Sequence, residues 1–292
     1  MTVTTLAAQG EFRIGHVISR TWKVMTANFW FYFIVMMMAL VPVTILDLAL
    51  QPKIDAYGGY HAFTVGIMVF VVSLVLGTIA QTVITAGSIQ HLSGEPVRPG
   101  KTFQRGLARY FPYFGLVILG LLALIVTFGL GFVLLIVAFQ SSDLLLALST
   151  LSKLALGLGG VLAIVVGLVL VTLWAVAGPV CLVEGKGPIA SLGRSRHLTK
   201  GRRWKIFGLL LLVIIVLFAV AFIIMLGALF SAMQTSLGLS QPDAYIYSKT
   251  VVTVLLQGVG SVFWYCLIAN IYHDLRVAKE GITSKEITAV FD

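Results

Sequence analysis

Six apolar stretches, each long enough to cross a bilayer, decide what this chain can become. A transmembrane helix needs about 20 mostly apolar residues. The sequence supplies such runs near Phe29–Leu50, Thr64–Leu92, Phe111–Phe139, Leu154–Val183, Ile206–Met233 and Val251–Tyr272. Inside hydrocarbon every backbone polar group needs a partner, so a spanning segment is either a helix or a strand of a closed barrel. These runs lack the alternating polarity of barrel strands, which leaves helices. Several exceed the minimum length, which predicts tilt or extension beyond the hydrocarbon. Of the 292 residues, 59% are apolar and 11% charged, against about 25% charged in a soluble domain. That balance excludes a soluble enzyme, a disordered chain and a disulfide scaffold.

The cations follow the crossings. All but three of the 20 Lys and Arg residues fall before the first run, between the second and third, between the fourth and fifth, or after the sixth. The exceptions are Lys53, Lys153 and Lys249, one in each intervening loop. Cytoplasmic loops carry such an excess, so the pattern predicts a multi-pass protein with both termini cytoplasmic. The net charge of +9 is then a topology signal, and no nucleic-acid partner is expected. The first apolar run begins late, near Phe29, and is long enough to span, so a cleavable signal peptide is not expected.

Residues 1–28 read as an amphipathic helix on the inner surface. Ile14, Val17, Ile18, Trp22 and Met25 recur at helical spacing, with Arg13, His16, Arg20 and Lys23 on the other side. This predicts apolar groups in the acyl boundary and cations among anionic headgroups. The segment recurs. ISRTWKVMTANFWFYF (Ile18–Phe33) aligns without gaps on LGRSRHLTKGRRWKIF (Leu192–Phe207), placing Arg20 on Arg194, Thr21 on Ser195 and Trp30 on Trp204. A looser copy keeps the spacing of Pro188 and Arg194 at Pro99 and Arg105. The expected fold is therefore all-α: six transmembrane helices in three two-helix repeats, each preceded by a basic amphipathic surface helix. One integral membrane domain is expected over 1–292, comprising a surface segment at 1–28, a bundle at 29–275 and a tail at 276–292. Internal symmetry of this kind suits a transporter, and equally a duplicated scaffold.

Two stretches carry a resemblance. VEGKGPIASLGRSRHLTKGRRWKIFGLL (Val183–Leu210) and IYHDLRVAKEG (Ile271–Gly281) resemble hallmark segments of the glycerophosphoryl diester phosphodiesterase membrane-domain family. The matching positions are Glu184, Gly185, Leu192, Arg194, Ser195, Leu198, Thr199, Gly201 and Trp204, then Tyr272, Asp274, Leu275, Arg276, Glu280 and Gly281. The resemblance implies a bacterial inner-membrane protein. In some members the domain anchors a phosphodiesterase barrel of about 250 residues. This sequence ends at Asp292, shortly after Gly281, so a stand-alone membrane domain without that activity is expected.

Physical chemistry suggests roles for these residues. Arg20, Arg105, Arg194, Arg196, Arg202 and Arg203 are candidates for contact with lipid headgroups or other anions, at about 1 kcal/mol per cation near an anionic surface. Glu184 and Asp274 are acids in a basic layer, so with Arg194 and Arg276 they are candidates for an inner-surface clamp. Pro188 suits a first helical turn, and Gly201 a helix end. Ser73, Gly77, Gln81 and Thr85 share one face of the second run, and the sixth offers Gln257, Ser261 and Asn270. Polar groups at this depth need partners, so Gln81, Thr85, Gln257 and Asn270 are expected to meet across helices or to line a polar path. Pro42 and Pro179 predict kinks.

Catalytic chemistry finds little support. His16, His91, His197 and His273, with Cys181, Glu184 and Asp274, show no local metal-ligand spacing, so no metal or other cofactor is expected. Gly100-Lys101-Thr102 ends like a phosphate loop, but Glu95 stands where that loop needs glycine. Cys181 and Cys266 read as small buried residues. No charge lies deep in a run, which counts against an ion-coupled pump. The expected role is a non-enzymatic membrane organiser: a scaffold, lipid-contacting factor or accessory subunit. Its expected partners are anionic lipids, with a membrane-protein partner or a second copy also possible. The alternative is a facilitator of a lipid or small amphiphile through a cavity lined by Gln81, Thr85 and Gln257.

Overall fold

A computed structural model describes residues 14–57, 59–139, 150–237 and 242–281. Their regular structure is helical, with no strand among the described residues. Six helical runs are long and apolar enough to cross a membrane: Phe29–Leu50, His61–Leu92, Tyr110–Phe139, Leu151–Val183, Arg203–Gly227 and Thr250–Glu280. The protein is an all-α, multi-pass membrane protein.

The elements in chain order are α1 (Ile14–Ala27), α2 (Phe29–Tyr57), α3 (Gly59–Leu92), α4 (Pro99–Ala108), α5 (Tyr110–Leu124), a π-helical turn (Ile125–Gly129), α6 (Leu130–Phe139), α7 (Thr150–Trp174), α8 (Ala177–Val183), α9 (Pro188–Thr199), α10 (Arg203–Ser236) and α11 (Pro242–Glu280). Short helices thus precede the first, third and fifth spans. Where a single membrane domain is expected, contacts gather the chain into two compact units: residues up to Tyr110 with those from Trp204 onward, and Phe111–Arg203.

In the first unit α2 packs along α3, and α11 packs against α1, α2 and α3. Val24, Met25, Tyr32, Val35, Met36, Ala80, Val83, Ile84, Val262 and Cys266 form its core. The helix α3 stops where Gly94 turns to a φ of +83°, a region an L side chain resists. The Gly94 N–H reaches the His91 carbonyl at 3.1 Å, and the Glu95 N–H reaches Gln90 at 3.0 Å. This Schellman closure satisfies two orphan carbonyls and reverses the chain. After the extended Arg98, Pro99 opens α4 at its first position, where a missing N–H is harmless. The small α4 then lies close on α3, because Gly106 has no side chain. A Cβ there would stand 3.0 Å from the Val83 backbone.

α1 departs from expectation. Its Val17, Val24 and Met25 are buried within the protein, on a helix packed mainly against α11. Part of the expected apolar stripe, Val17 and Met25, is therefore covered by the bundle, while Ile14 and Ile18 are half-buried and Trp22 is exposed. Residues 1–13, including Arg13, lie outside the described residues.

In the second unit α6 packs along α7 through glycines. A Cβ on Gly131 would stand 3.0 Å from the Gly160 carbonyl oxygen, and one on Gly160 would stand 2.8 Å from that of Gly131. The backbones touch because neither residue carries one. The third span passes through the π-helical turn at Ile125–Gly129, which nothing in the apolar pattern announces. Pro42 leaves α2 unbroken. The fourth span does break, at Ala175–Val176, ahead of Pro179, which sits in the first turn of α8.

Candidate functional site

The chemistry-bearing side chains collect at the basic ends of the helices. In the first unit, Arg20 of α1 donates through Nη1 to Asp274 Oδ1 of α11. His16 Nδ1 lies 3.4 Å from Arg20 Nη2, and His273 Nδ1 lies 3.6 Å from Asp274 Oδ1. The Arg20–Asp274 pair thus joins α1 to the last span, flanked by His16 and by His273, whose ring nitrogens are buried without a hydrogen-bond partner among the described residues. Beside it, Arg105 Nη1 of α4 donates to Glu95 Oε2 at 3.2 Å. Thr102 Oγ1 donates to Gln90 Oε1 at 2.6 Å, fastening α4 to α3. Asn28 Nδ2 approaches His91 Nδ1 at 3.3 Å.

The second unit holds the densest charge cluster. Glu184 lies at the end of α8, its side chain only 10% exposed. Arg194 Nε donates to both its oxygens, at 3.1 and 3.0 Å, and Lys186 Nζ stands 2.8 Å from Oε2. Next to Arg194, Ser195 Oγ donates to the Leu173 carbonyl at 2.8 Å. That carbonyl lies at the interrupted end of α7, where the intrahelical ladder stops.

These contacts redistribute the expected roles. Arg20, Arg105 and Arg194 each hold a carboxylate of the protein. Of the clamp residues, Glu184 takes Arg194, but Asp274 takes Arg20 and not Arg276. Arg276 instead pairs with Glu280 at 3.1 Å along its own helix and donates to Tyr272 Oη at 3.3 Å. Arg196 is exposed, while Arg202 and Arg203 are half-buried. The Arg203 Nε is buried without a hydrogen-bond partner among the described residues. In the first unit Lys23, Arg98, Lys101 and Lys205 are exposed, as are the indoles of Trp30 and Trp204. In the second, Arg196 and Lys200 are exposed.

The sequence reading passed over Glu95. Its signal was present: Glu95, Pro99 and Arg105 keep the E-x3-P-x5-R spacing of Glu184, Pro188 and Arg194. At both places the acid precedes the helix and the arginine reaches back to it. The N-terminal copy has Gly10 at the acid's position and draws its carboxylate from Asp274 of the last span.

The intramembrane polar face is also divided. Thr85 is buried, Gln81 half-buried and Gln257 exposed. Ser73 and Thr78 donate to carbonyls of their own helix, both at 2.6 Å. Gln257 and Ser261 line a groove between α10 and α11 whose lining includes neither Gln81 nor Thr85. Asn270 is fully buried; its Nδ2 donates to the Cys266 carbonyl at 2.9 Å, and its Oδ1 has no partner among the described residues. The second and sixth spans meet instead where Ser88 Oγ reaches Cys266 Sγ at 3.3 Å. Among the described residues no three His, Cys, Asp or Glu side chains gather at a metal-sized centre. Lys101 is exposed and Thr102 committed to Gln90, in keeping with a turn and helix start at Gly100-Lys101-Thr102. Compared with known protein families, curated proteins and solved structures, the chain matches none.

Proposed function

We propose that the protein is a membrane organiser without catalytic activity of its own, a scaffold or accessory subunit that contacts anionic lipid through its basic ends. In this reading it resides in a bacterial inner membrane with both termini cytoplasmic. Its three short helices are repeats of one unit, and it is related to the glycerophosphoryl diester phosphodiesterase membrane domains. The carrying observation is a division of labour among the cations. Arg20, Arg105 and Arg194 are engaged by carboxylates: Arg20 ties α1 to the last span, and Arg105 and Arg194 tie α4 and α9 to the acids that precede them. Lys101 and Lys205 are exposed in the first unit, as are Trp30 and Trp204, and Arg196 and Lys200 are exposed in the second. Exposed cations and exposed indoles both suit the headgroup layer, where lipid phosphates attract the charge and the rings anchor depth.

The test is lipid enrichment around the full chain in nanodiscs of mixed anionic and neutral lipids. Substituting Lys101, Arg196, Lys200 and Lys205 together by Gln is expected to reduce the preference for anionic headgroups, with Lys23 and Arg98 left in place, and raised salt to weaken it in the wild type. An unchanged preference in that variant overturns the lipid-contacting role. The transport alternative requires Gln81, Thr85 and Gln257 on one cavity, and Gln257 opens on α10 instead, so no observation favours it.

A further inference from the structure

His273 sits on α11 among the fully buried Asn270, Ile271 and Leu275, and is itself only 9% exposed. Neither of its ring nitrogens has a hydrogen-bond partner among the described residues. A neutral imidazole carries one donor and one acceptor, and leaving both unpaired in a packed interior is costly. Its Nδ1 stands 3.6 Å from Asp274 Oδ1, the same oxygen that accepts from Arg20 Nη1. On the other flank, His16 Nδ1 lies 3.4 Å from Arg20 Nη2. Among the described residues, Arg20–Asp274 is the one ion pair that α1 makes. The arginines of α4 and α9 instead take acids 10 residues before them in the chain. A single turn residue, Asn28, joins α1 to α2.

We infer that Arg20, Asp274 and His273 form a proton-sensitive clasp, which holds α1 on α11 while His273 is neutral and lets α1 loosen about Asn28 once His273 is protonated. Charge balance gives the direction. Protonation makes donors of both ring nitrogens and brings a second cation to a carboxylate already engaged. If the imidazolium takes Asp274 Oδ1, it competes with Arg20 for that oxygen. If it does not, a charge is left buried and unpaired. Either way the closed form is penalised relative to the open one, where water reaches the ring. The open form then holds more protons, so the closed form loses ground as pH falls. His16 acts in the same sense, because its protonated ring no longer accepts from Arg20 and repels it; being exposed, it contributes the smaller part. The other ionisable groups that the packed elements bring to this end are Lys23 of α1, Tyr32 of α2, and His91 of α3 with Glu95 just beyond it; α11 adds Cys266, Tyr272, Arg276, Lys279 and Glu280. Glu95 holds Arg105 and Glu280 holds Arg276, while Asn28 approaches His91. The inference does not rest on the lipid preference proposed above, which a different assay reads.

The experiment places spin labels through Ser19→Cys on α1 and Lys279→Cys on α11, both exposed positions, in the full chain in nanodiscs; Cys181 and Cys266 are buried. Distances between the labels are recorded from pH 8 to pH 5, the range in which histidine side chains change charge. One short distance is expected at the alkaline end and a second, longer population at the acid end, reversibly. One proton moves the open-to-closed ratio by at most tenfold per pH unit, and a rise of at least about tenfold over the whole range is expected. His273→Phe and His273→Gln, replacements of different shape and polarity, are both expected to stay closed throughout. Asp274→Asn is expected to show more of the longer population than the wild type already at the alkaline end. A wild-type distribution unchanged by pH, a response that persists in both His273 variants (whether carried by His16 or His91), or an Asp274→Asn chain no more open than the wild type each overturn the clasp.

Discussion

Glu184 holds two cations on a side chain that is 10% exposed, so its charge matters more than that of a solvated acid. An exposed ion pair contributes about 0.2–1 kcal/mol, whereas removing one partner of a fully buried pair costs about 3–5 kcal/mol. Glu184→Gln is expected to fall between these limits, at about 1–3 kcal/mol, because Arg194 and Lys186 are left as unneutralised neighbours. Thermal unfolding in nanodiscs measures this. Glu280→Gln, which removes the i,i+4 carboxylate partner of Arg276, is expected to cost about 0.5 kcal/mol in the same assay. Equal losses in the two variants would contradict the distinction. Glu184 and Arg194 are close in sequence and both stood out there. Arg20 and Asp274 also stood out, but 254 residues separate them, and no local pattern shows which carboxylate a distant arginine will meet.

The short helices show how far periodicity reaches. The 3.6-residue recurrence in α1 announced an amphipathic helix, and one forms. Periodicity tells which side is apolar, not what covers that side, and the bundle, mainly α11, covers Val17 and Met25 of it. Val17→Ala is therefore expected to destabilise the fold by about 1–3 kcal/mol, measured by thermal unfolding, and to leave lipid preference unchanged. For α9, Ser195→Ala orphans the Leu173 carbonyl at the broken end of α7, with an expected loss of about 1–2 kcal/mol. For α4, Gly106→Val drives methyl groups into the Val83 backbone and is expected to cost at least about 1–3 kcal/mol. Gly208→Ala, with open space at its Cβ, is expected to be close to neutral by comparison. The interruption ahead of Pro179 was legible as a proline effect, though displaced toward Ala175–Val176. The π-helical turn was not, since one extra residue in a helical turn leaves an apolar run looking unchanged.

Over the whole molecule, reporter fusions after Lys53, Lys153 and Lys249 are expected to locate all three loops on the face opposite the termini, and a reporter active in the cytoplasm at any of them would break the topology. The all-helical class and the six spans come from the sequence by itself, and the expected arrangement of the loops rests on it alone. Bilayer thickness fixes the length of an apolar run, and charge bias is a property of each loop taken alone, so both can be summed along the chain. Tertiary structure alone decided that Val17 and Met25 of α1 are covered by protein, that Asp274 belongs to Arg20, and that Gln257 lines the groove beside α10 while Thr85 is buried. Each of these depends on how helices are rotated about their axes and which faces meet. In a segment apolar nearly all round, periodicity barely marks the inward side, so the rotation is settled by packing between residues far apart in the chain.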